Sequence, residues 1–117
     1  MSVMTVAVPA KYREILSPLG DIQQLVNEAL RRYALEQVAD KIAELRAREE
    51  AWEEKYGCDY ETFVEKVSTD EDFVKHIEQT INPTWEIDLA EWEFCHKGVE
   101  DWARHLQDLV KEKGDRQ

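Results

Sequence analysis

Apolar residues along this chain change their period several times, and each change predicts an element. Val3, Thr5, Val6 and Val8 form a β-branched run with almost no helix former inside it, which predicts a short strand. A ribbon of this size is marginal alone in water. No later segment is β-rich, so the expected partner is the same strand of a second copy, giving a symmetric dimer. Pro9 cannot donate to a ladder, and its fixed φ suits the first turn of a helix. Tyr12, Ile15, Leu16 and Leu19 then fall on one face of a short helix. Pro18 ends that helix and Gly20 reverses the chain from the left-handed conformation. Asp21 caps the helix that follows.

From Ile22 onward, Ile22, Leu25, Val26, Ala29, Leu30, Tyr33 and Ala34 recur every third or fourth residue, the strongest periodic signal in the chain. No Gly or Pro occurs between Asp21 and Tyr56, and Val38, Ile42, Leu45 and Trp52 prolong the stripe. The prediction is one helix from Asp21 to Tyr56, roughly 50 Å long at 1.5 Å per residue, stopped by Gly57. Asp59 caps a short helix that buries Phe63 and Val64 with Tyr60 nearby. Ser68 and Glu71 make a capping-box pattern before Phe73, Val74, Ile77 and Ile81. Asn82-Pro83 breaks that helix, and Thr84 caps the last one, from about Trp85 to Lys111. Its seam is Trp85, Leu89, Trp92, Cys95, Val99, Trp102, Leu106 and Leu109, with a second apolar edge at Ile87, Ala90 and Phe94. Gly98 and the short seam argue against an autonomous coiled coil.

The order strand, Pro, short helix, Gly-containing turn and LVNEALRRY resembles the ribbon-helix-helix family of small dimeric DNA-binding proteins. The resemblance covers about the first third of the chain. It implies a mainly α fold: a dimeric N-terminal ribbon-helix-helix of one strand and two helices, with a C-terminal helical extension. Val6, Val8, Leu25, Val26, Ala29, Leu30 and Tyr33 would form the dimer core. The paired strands would enter the major groove with Val3, Thr5 and Ala7 outward. Among those three only Thr5 has a donor and acceptor for base edges. Asp21 also competes with phosphate for the amides of the helix N-terminus. Operator DNA is therefore a weakly supported partner.

Size and charge sharpen the division. The 117 residues allow one modest domain, or a dimerisation unit plus an arm; the expected boundary separates 1–50 from 51–117. With 35% charged residues, 4 Gly and 3 Pro, a helical, loop-poor structure is favoured. Residues 1–40 carry a net charge of −1 and the remainder −10 of the total −11. An acidic arm repels nucleic acid and steers basic partners toward itself. No apolar run is long enough for a membrane span and no signal-peptide pattern opens the chain, so the expectation is a cytoplasmic protein. Cys58 and Cys95 lack metal or redox spacing and read as free thiols.

KYGCDYETFVEKV, DEDFVKHIEQ and DLAEWEF are similar in order and composition to the C-terminal halves of prokaryotic antitoxins. That similarity implies that residues past about 50 bind a cognate toxin, a small basic protein encoded next door. The contact residues it suggests are Trp85, Glu86, Ile87, Asp88, Leu89, Glu91, Trp92, Glu93 and Phe94. Packing of the same tryptophans onto the long second helix is the competing role for them. The three histidines, His76, His96 and His105, have no metal-ligand spacing, and no Gly-rich phosphate loop or nucleophile elbow occurs. No cofactor and no enzymatic activity is expected. The leading expectation is a dimeric antitoxin that also regulates its own operon; its rivals are a stand-alone ribbon-helix-helix regulator and a helical adaptor.

Overall fold

A computed structural model describes residues 3–115. Among these residues there are five α-helices: α1 (Ala10–Leu16), α2 (Ile22–Tyr56), α3 (Tyr60–Thr69), α4 (Glu71–Thr80) and α5 (Trp85–Asp115), with a 3-10 turn at Ser17–Leu19 between α1 and α2. The mainly helical class is as read from the sequence. The N-terminal strand is not: residues 3–9 form no strand. A strand is held by ladder hydrogen bonds to a neighbour, and no strand occurs among the other described residues to supply them.

The chain divides into two compact units, Met1–Glu36 and Gln37–Gln117. The division falls within α2, ahead of the boundary expected after residue 50. In the first unit Pro9 precedes α1, and its carbonyl accepts from the Tyr12 and Arg13 amides. Gly20 turns the chain with φ 151° and ψ −163°, in a glycine-favoured region but outside the left-handed helical conformation expected for it. Asp21 caps α2 as predicted, its carboxylate accepting from the Gln24 amide at 3.1 Å.

The second unit contains the core. Phe63, Ile77, Trp92 and Tyr56 are buried together, with Trp52, Tyr60, Phe73, Trp85 and Leu89 packed around them. Phe63 is its hub, within ring-contact distance of Tyr56, Trp92, Phe73 and Trp85. Contacts pair Lys55 with Asp88, Trp52 with Trp92, Glu49 with His96 and Leu45 with Gly98. Rising numbers on α5 meet falling numbers on α2, so the two helices run antiparallel. Gly98 permits that approach, because a Cβ there would lie 2.9 Å from Leu45 Cδ1.

Gly57, at φ 76°, ends α2 in the conformation that only glycine adopts cheaply. Asp59 caps α3 through the Thr62 amide at 2.8 Å. The α4 cap differs from the expected Ser68–Glu71 box: Asp70 accepts from the Phe73 amide, while the Ser68 hydroxyl donates to the Val64 carbonyl inside α3. Asp70 wins because α3 runs through Thr69 and leaves it as the first extended residue. Asn82 Oδ1 accepts from both the amide and the hydroxyl of Thr84, which holds the turn into α5.

Candidate functional site

The first three turns of α5 hold every residue singled out for toxin contact, and helical geometry sorts them onto opposite faces. Trp92 is fully buried at the centre of the core, out of reach of any partner surface in this fold. Its indole nitrogen lacks a hydrogen-bond partner, alone among buried side-chain polar atoms of the described residues. Trp85 and Leu89 are half-buried against the same core. Trp85 Nε1 donates to Glu78 at 3.2 Å.

Asp88 also turns inward, against the expectation that it meets a basic partner. Its Oδ2 accepts from Lys55 Nζ at 2.7 Å, from the Tyr56 hydroxyl at 2.6 Å and from Asn82 Nδ2 at 3.2 Å. Burial pushes the Asp88 carboxyl up, but the hydrogen bonds from Lys55 and Tyr56, the lysine charge and the Asn82 amide outweigh it and hold it below the usual carboxylate range. The bond to Asp88 raises Lys55; burial, followed by the same carboxylate, raises Tyr56. This network ties the end of α2 to the start of α5.

Four of the named residues face solvent: Glu86, Ile87, Glu91 and Phe94. Ile87 is 61% and Phe94 70% exposed. Glu93 lies on the flank, paired with Lys97 at 2.8 Å.

A second polar cluster was not legible as a site. Glu49 is 1% exposed and binds Arg46 Nη1 at 2.9 Å and His96 Nδ1 at 2.8 Å. Because a carboxylate only accepts, the imidazole donates from Nδ1. The ring stacks on Tyr60 at 4.4 Å between centroids, and its Nε2 faces Glu61 and Glu100 at 3.6 and 3.5 Å. The signal for Glu49 was its place in the run Val38, Ile42, Leu45, Glu49, Trp52, Tyr56, where it interrupts an apolar seam at helical spacing. The cavity beside it, about 100 Å³, is lined by Arg46, Glu49, Glu53, Asp59, Tyr60, Glu61 and His96. That lining has an oriented imidazole but no Ser, Thr or Cys for it to activate. No metal-holding group of His, Cys, Asp or Glu occurs among the described residues. The cluster is a clasp joining α2, α3 and α5.

In the first unit every residue assigned to a dimer core is accessible. Val6, Leu30 and Tyr33 are exposed, Ala29 likewise, and Val8, Leu25 and Val26 are half-buried. Val3, Thr5 and Ala7 are exposed and lie outside any helix. No described helix is long and apolar enough to cross a membrane. No family model, curated protein or solved structure matches the chain.

Proposed function

We propose that this protein is a non-enzymatic, cytoplasmic antitoxin that dimerises through its N-terminal unit and neutralises a small basic toxin with its acidic C-terminal helices. The observation that carries this reading is the unequal burial of the two units. Of the large apolar side chains exposed among the described residues, Val3, Met4, Val6, Tyr12, Ile15, Leu19, Leu30 and Tyr33 lie in the first unit, and only Ile87, Phe94 and Val110 in the second. So many large apolar side chains left uncovered in one short unit call for a second chain, and self-association is the simplest source. The second unit has its own core and the whole net charge of −11, which suits a folded binding module for a basic surface.

The direct test is expression from the native locus with a tag on this chain, then co-expression with the neighbouring gene. A stoichiometric small basic protein that arrests growth alone and is harmless with this chain is the expected result. A homodimer without such a companion overturns the reading. Operator binding through Val3, Thr5 and Ala7 belongs to the same proposal. Its mark is a sequence-specific complex that weakens steeply with salt.

A further inference from the structure

The outward side of α5 carries a row that its core does not use. Ile87, Glu91 and Phe94 are spaced by four and three residues and all exposed, so they line up over two helical turns, about 10 Å. Exposed Ala90 beside them keeps the relief low. From Ile77 to His96 the chain has no Lys or Arg. Around the row, Asp88 is consumed by its inward network and Glu93 by Lys97, whereas Glu86 and Glu91 form no ion pair among the described residues. Arg48, which with Glu91 lies in the electrostatic surroundings of Cys95, is turned onto the Trp52 ring at 5.6 Å. Two bare apolar side chains with two unpaired carboxylates beside them are therefore what this surface offers.

The geometry points to this row as the docking site for an amphipathic helix of the toxin, one that lays two apolar residues on Ile87 and Phe94 and sets Lys or Arg against Glu86 and Glu91. The inference rests on the antitoxin reading for the source of the helix. It narrows the contact to the solvent face of α5, leaving out Trp85, Asp88, Leu89 and Trp92. A helix is the matching shape because a row repeating over two turns is met in register by a partner of the same period.

The test uses the full chain and two synthetic amphipathic helices with the same leucine row, one flanked by lysines and one by glutamates, titrated while backbone amide shifts are recorded. The lysine helix is expected to bind with shifts centred on residues 86–94, and the glutamate helix to bind at least about tenfold more weakly. Phe94→Ser and Glu91→Lys should each weaken the lysine helix about tenfold with the tryptophan-detected unfolding curve unchanged. Equal binding of the two helices, shifts centred elsewhere, or no binding overturns the inference. So does a fall in the chain's own association state in Phe94→Ser, which would make the row a contact between copies. A neutralised toxin whose affinity ignores Phe94→Ser sinks this inference and leaves the antitoxin standing; a bound lysine helix with no neutralised protein in the cell does the reverse.

Discussion

Residues 37–117 bury Val38, Leu45, Tyr56, Phe63, Ile77, Trp92 and Cys95 within a single chain, while residues 3–36 bury no side chain although Val6, Ile15, Leu30 and Tyr33 are comparably apolar. The difference lies in what comes back. The second half of α2 meets α5 running antiparallel and α3 crossing its end, so its stripe finds a surface. The described residues of the first unit supply its half of α2 with one seven-residue helix, a 3-10 turn and a segment that forms neither helix nor strand. Periodicity marks which side of a helix is to be covered; only returning chain, from this molecule or another, covers it.

The core of the second unit is most sensitive at Trp92, which is fully buried. Trp92→Ala should cost about 4 kcal/mol in denaturant unfolding by leaving a cavity among Phe63, Tyr56 and Trp52. Trp92→Phe should cost about half as much, since the indole N–H forms no hydrogen bond to lose. All four tryptophans, Trp52, Trp85, Trp92 and Trp102, lie in the second unit, so their fluorescence reports that unit alone. A Trp92→Ala chain of wild-type stability would mean that this core does not hold the second unit together.

The first unit is addressed by Leu30→Asp with Tyr33→Asp. If a second copy covers these residues, the dimer should weaken about 100-fold, near 2.7 kcal/mol, in sedimentation over a dilution series. The tryptophan-detected transition of the second unit should stay in place. An unchanged association state removes the N-terminal face as the dimer contact.

Glu49→Gln should cost about 2 kcal/mol in the same unfolding assay. That is less than the 3–5 kcal/mol typical of breaking a fully buried pair, because the Arg46 and His96 side chains retain 40% and 25% exposure and water partly replaces the carboxylate.

Asp88→Asn is the mildest change, about 1 kcal/mol at neutral pH, and its mark is pH dependence. A carboxyl held below its ordinary value contributes stability that is present above that value, about 3.9, and is lost as pH falls through the lower, folded-state value. Wild type and Asp88→Asn should therefore differ most at pH 6 and converge as the solution is acidified below about pH 4. A constant gap would show that Asp88 acts through shape alone.

Much of the architecture was legible because its signals are local. The uninterrupted stretch from Asp21 to Tyr56, Gly57 as its stop, the Asp59 cap and the Asn82-Pro83 break each act within a turn of where they stand. The capping residue of α4 was misplaced by two positions because Ser68 and Asp70 are both competent caps, and the choice depends on how far α3 persists. The charge pattern along α5 places Asp88 outward, because it does not reveal Lys55 and Tyr56 arriving from another helix. The Glu49–His96 pair spans 47 positions, and nothing in the neighbourhood of either residue announces the other.

By itself, then, the sequence determined the helices, most of their ends and the concentration of acid after residue 40, because backbone propensity, capping and charge are properties of neighbours along the chain. Tertiary structure alone decided that Trp92 is core, that Asp88 and Glu49 are satisfied inward, that Gly98 admits Leu45, and that Ile87 and Phe94 are left in solvent. Those outcomes depend on the antiparallel register of α2 against α5, which is set by packing between residues far apart in sequence. The strand read at the N-terminus marks the same divide from the other side: β propensity is local, but a strand exists only where a second one bonds to it.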